Sequence, residues 1–154
     1  MTGDATSEAL ASRLGYLLKH VQLRLAEQSA RALAPFGIDG RELAVLVVLT
    51  AQNPLSQLEA AGRLGVDRTT MVALVDALEH KGLVERRRSE QDRRKNTVQL
   101  TPAGQDCLRG AERAREEMER QFLAPLAARD ADRLVLTLQT LLSAPDRPAP
   151  SNAG

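Results

Sequence analysis

The chain has 154 residues, 43% of them hydrophobic and 27% charged, with a formal net charge of +1. One domain's worth of length at ordinary composition excludes wholesale disorder, collagen-like repeats and a disulfide scaffold. No apolar run reaches the ~18 residues of a membrane span, and Met1 to Leu10 carry Asp4 and Glu8 rather than a basic leader, so no secretory signal is expected.

Leu10, Leu14, Leu17, Leu18, Val21 and Leu25 recur at helical spacing and predict an amphipathic helix over about residues 8–34. Thr6 or Ser7 can cap it, and Pro35 and Gly37 end it. Asp39 with Glu42 forms a capping-box pattern opening a second, buried helix over about 40–51, with Leu43, Leu46, Val47 and Leu49 inward and Asn53-Pro54 as its stop. Ser56-Gln57-Leu58-Glu59 is a second such box. It opens a short helix over about 57–64 with Leu58, Ala61 and Leu64 inward, closed by Gly65. Asp67 caps a fourth helix, about 68–81, whose inner face is Met71, Leu74, Val75 and Leu78. Leu83 to Arg86 and Thr97 to Thr101 then read as two short strands. Thr101-Pro102 starts a fifth helix, about 102–124, with Cys107, Ala111, Ala114, Met118 and Phe122 on one stripe. A sixth helix, about 130–143, opens at Asp130, and the proline-containing stretch 145–154 is expected to be disordered.

Charge is unevenly placed along this plan. Residues 86–95 hold six basic side chains (Arg86, Arg87, Arg88, Arg93, Arg94 and Lys95) against Glu90 and Asp92. Such a local excess in a nearly neutral chain is a footprint for a polyanion. Two short helices joined by a glycine turn, followed at once by a basic hairpin, describe a winged helix-turn-helix. The major groove of DNA admits one helix, whose N-terminal residues reach base edges. On the fourth helix the face opposite the apolar one comprises Thr69, Ala73, Asp76 and His80, flanked by Arg68 and Thr70, and Arg68, Thr69, Thr70 and Ala73 are the expected groove-facing set. Arg68 can fork onto guanine or phosphate, and the threonines can donate to either.

The stretches Leu64-Gly-Val-Asp-Arg-Thr-Thr-Met-Val72, Leu74-Val-Asp-Ala-Leu-Glu79, Lys81-Gly-Leu-Val-Glu-Arg86, Gln91-Asp-Arg-Arg-Lys95 and Leu100-Thr-Pro-Ala-Gly104 resemble the MarR family of bacterial regulators. The likeness is most specific over residues 55–104. It implies a homodimeric DNA-binding protein whose terminal helices intertwine, with the recognition helix in the major groove and a wing arginine in the minor groove. The family's Asp-x-Arg wing pattern falls on Asp92 and Arg94. Asp92 would shape the wing and Arg94 would enter the minor groove, whose narrow A·T-rich stretches attract arginine. Arg86, Arg87, Arg88, Arg93 and Lys95 would contact phosphates. Asp76, unfavourable beside DNA unless paired, would orient a wing arginine.

The expected fold is therefore mainly α: about six helices plus a two-stranded wing. Residues 1–38 and 102–144 are expected to form a dimerisation domain around a DNA-binding domain at 39–101. Leu10, Leu14, Leu17, Leu138, Leu141 and Leu142 lack evident cover within the chain and are candidates for the dimer core. A small aromatic or anionic effector would meet Arg13, Tyr16, His20 or Arg41. Cys107, the single cysteine, lies on an apolar stripe rather than in the exposed basic setting of a sensing thiol. It cannot close an internal disulfide, so a reducing cytoplasm is the expected compartment. The histidines and cysteine lack metal-ligand spacing, and no phosphate-binding glycine loop or Ser-His-Asp set occurs, so neither metal, cofactor nor enzymatic activity is expected. With only Tyr16, Phe36 and Phe122 as aromatics, a base-stacking RNA platform is not expected either. The alternative is a helical dimeric scaffold or anti-regulator without specific DNA binding, but a scaffold has no use for a basic hairpin. Occlusion of a promoter by a bound dimer makes repression the expected sign of regulation.

Overall fold

A computed structural model describes residues 8–50 and 54–146. Its elements in chain order are helix α1 (Leu14–Leu33), a 3-10 turn (Ala34–Phe36), α2 (Gly40–Val48), strand β1 (Leu55–Ser56), α3 (Gln57–Leu64), α4 (Arg68–His80), β2 (Val84–Arg88), β3 (Asn96–Leu100), α5 (Pro102–Leu123) and α6 (Ala128–Ser143). The chain divides into two compact units, Met1–Met118 and Glu119–Gly154. The caps expected at Thr6 or Ser7, the stop at Asn53 and the tail from residue 147 onward lie outside the described residues.

In the first unit the local chemistry of the caps sets most boundaries. Asp39 accepts from the N–H groups of Arg41 and Glu42, while the Glu42 carboxylate accepts from the Asp39 N–H, completing a reciprocal capping box. At Ser56 only the forward bond forms, from the Glu59 N–H to the hydroxyl at 3.1 Å. Gly65 closes α3 at φ 65°, a left-handed conformation that a Cβ would oppose, and this makes the tight turn into α4. Asp67 caps α4 by accepting from the Thr70 N–H at 2.7 Å. Beyond the hairpin, Thr101 accepts from the Gly104 N–H and donates to the Gly82 carbonyl, starting α5 beside the end of α4. Gly104 is required there: a Cβ would lie 1.9 Å from the Leu83 carbonyl oxygen.

The core joins α2, α3, α4 and the sheet. Leu46, Met71, Leu78, Val75, Val84 and Val98 are all but fully buried within it. Each such side chain stabilises the fold by about 1.5–3 kcal/mol relative to exposure. Leu33 brings the end of α1 into this core and Ala111 brings in α5.

Several expectations are corrected. The first helix is not continuous: residues 8–11 are helical, and Ser12 and Arg13 break it before α1. Leu58 is 70% exposed rather than inward, because the tightly packed positions of α3 are the small Ala60 and Ala61. Val47 is likewise exposed. The sheet has three strands, not two, since Leu55 and Ser56 pair with Val98 and Thr97. A two-residue strand carries no periodicity to read, so its partner alone reveals it.

In the second unit, α6 begins at Ala128 after an uncapped Ala127, not at Asp130. Its apolar positions Leu134, Leu138, Leu141 and Leu142 are exposed.

Candidate nucleic-acid interface

The helix-turn-helix is α3, the Gly65 turn and α4. Met71, Val75 and Leu78 hold α4 on the core, which leaves Arg68, Thr69, Ala73, Asp76 and His80 exposed along its opposite side. Thr70 is half-buried and differs from Thr69: its hydroxyl donates to Asp67 at 2.8 Å. That proton is committed to the cap, so Thr70 presents lone pairs, not a donor. The two bonds from Thr70 hold the Asp67 carboxyl below the usual carboxylate range.

The hairpin pairs Val84 with Leu100, Arg86 with Val98 and Arg88 with Asn96. Its turn is fixed by short-range bonds. The Arg94 N–H donates to Asp92 Oδ1 at 3.0 Å, and the Lys95 N–H donates to the Asp92 carbonyl, also at 3.0 Å. Ser89 closes the loop from the other side: its N–H donates to the Lys95 carbonyl, and its hydroxyl accepts from the Gln91 and Asp92 N–H groups. Sequence reasoning overlooked Ser89. A serine just ahead of Asp-x-Arg is the signal, since serine readily accepts from backbone two or three residues on. Among the described residues, the side chains of Arg68, Arg88, Arg93, Arg94 and Lys95 pair with no carboxylate. Arg87 pairs with Glu85 at 2.8 Å on the solvent side of the strand.

Arg86 was expected to contact phosphate, and its geometry is different. Its guanidinium donates to Gln57 Oε1 at 2.8 Å, to Glu79 Oε1 at 2.8 Å and to Asp76 Oδ1. Its own N–H donates to Glu79 Oε2 at 3.1 Å. The side chain is 24% exposed, and one cation thus joins the wing to the start of α3 and the outer half of α4. Strand alternation explains this: Arg86 shares the face of Val84 and stands opposite buried Val98, so it turns inward where Arg87 turns out.

The head of α4 and the wing face the same cleft. Ser56, Gln57, Leu58 and Glu59 from the head of α3, Arg68 from the head of α4, and Lys95 and Asn96 from the wing line a cavity of about 420 Å³. The head of α4 also carries the partial positive charge of a helix N-terminus.

Leu10, Leu14 and Leu17 are exposed in the first unit, and Leu138, Leu141 and Leu142 in the second. Tyr16 and His20 stack on α1 with ring centroids 4.1 Å apart. Arg41 instead lines a cavity of about 410 Å³ with Leu64, Val66, Asp67, Thr70 and Leu74, to which no α1 side chain contributes. Arg13 is exposed just before α1. Cys107 is half-buried, and burial raises its thiol, with the Glu42 charge adding to the effect and Lys81 opposing it. No helix among the described residues is long and apolar enough to cross a membrane.

The winged helix-turn-helix with this basic hairpin defines a class of DNA-binding regulator. The sequence profile of the MarR family matches residues 40–95. The transcriptional repressor MprA of Escherichia coli K12 is 31% identical over 133 residues, which cover 85% of this chain and 76% of MprA. The transcriptional repressor CouR, solved bound to a 23-mer DNA duplex, is 34% identical, with a TM-score of 0.77 over 88% of this chain and 95% of CouR. CouR of Rhodococcus jostii RHA1 bound to p-coumaroyl-CoA superposes with a TM-score of 0.75 at 26% identity, over 90% of this chain and 98% of that one. The chain belongs to the MarR family of transcriptional regulators. Its members act by binding DNA rather than by catalysis.

Proposed function

We propose that the chain is a cytoplasmic repressor that binds a pseudo-palindromic operator as a homodimer and is released by a small aromatic or anionic effector. The observation that carries this reading is the shared cleft of Arg68 and Lys95, which puts the head of α4 and the wing on one face. With α4 in the major groove, Arg68, Thr69 and Ala73 meet base edges and phosphates, and Thr70, left with lone pairs, meets a base-edge donor. Arg94 enters the minor groove, Arg87, Arg88, Arg93 and Lys95 meet phosphates, and Asp92 keeps the turn in shape. Arg86 and Asp76 brace the wing against the recognition helix.

Pairing is supported by exposed apolar surface. A single helix the length of α6 is marginal in water unless its apolar face is covered, yet Leu138, Leu141 and Leu142 are exposed, as are Leu10, Leu14 and Leu17. A second copy supplies cover of matching character, and two recognition helices then address two half-sites ~10 bp apart. In this division residues 39–101 read DNA and the flanking helices pair the chains. The effector reading is supported by the ligand-bound relative, with Arg13, Tyr16 and His20, and separately Arg41, as the groups that would meet a small aromatic or anionic effector.

The test is selection of duplexes from a random pool by the purified protein, followed by titration with salt. A two-fold symmetric consensus is expected, with log affinity falling by about 0.9 per phosphate neutralised as log salt rises. Recovery of no consensus would return the chain to the scaffold reading.

A further inference from the structure

Among the described residues, Glu42 is the one buried charged side chain, at 6% exposure. One carboxylate oxygen caps α2 by accepting from the Asp39 N–H, and the other accepts from Lys81 Nζ at 2.7 Å. The same ammonium donates to the Gly37 carbonyl at 2.8 Å. Lys81 is the residue on which α4 ends, and Gly37 and Asp39 form the corner between α1 and α2. The α5 helix packs on this corner, with Gly110 so close to the Phe36 ring that a Cβ there would collide with it. None of these groups lies in the DNA-facing cleft.

We propose that Lys81 is a positioning residue for DNA binding: its ammonium, clasped by Glu42 and the Gly37 carbonyl, pins the tail of the recognition helix to the α1–α2 corner and so sets the separation of paired recognition helices. The inference rests on the homodimeric DNA-binding reading above and adds to it the joint that fixes half-site spacing. The lever arm makes the effect large. The 13 residues of α4 span ~20 Å at ~1.5 Å per residue. A tilt of ~20° about its middle, where the core row holds it, therefore moves each end by ~3 Å, close to the ~3.4 Å rise of one base pair. The apolar row Met71, Val75 and Leu78 keeps α4 on the core, but packed rows of this kind allow small sliding. A charged bond at the tail opposes that tilt at the full length of the arm, because moving Lys81 away leaves the Glu42 carboxylate buried and without its cation.

The experiment uses the full chain and duplexes that the wild-type protein selects from a random pool. Each duplex is rebuilt with one base pair added to or removed from its centre, and a single half-site is included. Wild type and Lys81→Arg are expected to prefer the native spacing by about tenfold, the scale of one good contact. Lys81→Met should bind all three spacings within about twofold, with single half-site affinity unchanged. Glu42→Gln, which keeps the shape of the capping side chain but not its charge, should flatten the preference in the same direction and carries the test if Lys81→Met does not fold. Retention of the wild-type spacing preference in a folded Lys81→Met or Glu42→Gln protein overturns the clasp alone. Equal loss on the half-site and on all spacings also overturns it, by making Lys81 a general stabiliser. Absence of any spacing preference in wild type overturns the paired DNA-binding reading itself.

Discussion

Arg86 on the wing strand and Asp76 on α4 form an ion pair, with Glu79 and Gln57 each taking a further donor of the same guanidinium. The wing is therefore tied to both helices of the reading head through one side chain. Arg86→Ala should cost about 1–2 kcal/mol of stability, on the scale of hydrogen bonds to a charged group with the exposed partners discounted. DNA affinity should fall with it, since the brace is lost, but the slope of log affinity against log salt should stay at the wild-type value. Arg88→Ala, by contrast, should reduce that slope by about 1. Equal slopes for the two variants would remove the distinction between brace and phosphate contact.

Arg94 and Asp92 separate side-chain from backbone roles. Asp92 accepts from the Arg94 backbone N–H, so Arg94→Ala leaves the turn intact while removing the side chain. Its operator affinity should drop by about 1–3 kcal/mol, with unchanged amide exchange in the wing. Asp92→Ala should instead speed exchange at the Arg94 amide, which loses its acceptor, before any DNA is present.

Leu138→Glu together with Leu141→Glu places two carboxylates on the exposed apolar face of α6. Sedimentation should show monomers, and specific duplex binding should vanish with the second recognition helix. Dimers that persist would move the interface elsewhere.

Gly104→Ala tests the junction between wing and α5. With the added Cβ 1.9 Å from the Leu83 carbonyl oxygen, α5 must shift, and an overpacking cost of about 1–3 kcal/mol is expected in chemical denaturation.

Asp67 links stability to pH. Its hydrogen bonds with Thr70 lower its pKa in the folded chain. A lowered folded value means that the cap's contribution is fully present above the unfolded value of about 3.9 and is lost as pH falls through the folded value. The gap in unfolding midpoint between wild type and Asp67→Ala should therefore be constant near neutrality and narrow below about pH 4. A gap that widens on acidification would contradict the cap.

The helix-turn-helix was legible because each of its signals is local. The short α3 has a serine ahead of its first turn and a glycine after its last, while α4 has Asp67 at its head and apolar residues at period 3.6. The wing was half legible: alternation located its strands, yet the same alternation from Val84 already implied that Arg86 points inward, and grouping six basic residues by charge concealed it.

Helix periodicity, capping residues and the basic hairpin were therefore determined by the sequence itself, since they depend on neighbours within a few residues. The pairing of Leu55 and Ser56 with β3, the exposure of Leu58, the brace at Arg86 and the clasp of Lys81 on Glu42 were decided only in three dimensions. The pairings among these join residues apart in the chain, as with the separation of 39 from Glu42 to Lys81, and the exposure of Leu58 follows from which α3 positions the core accepts. No local pattern records which distant partner a buried charge will find, because that choice is made by the packing that brings the two together.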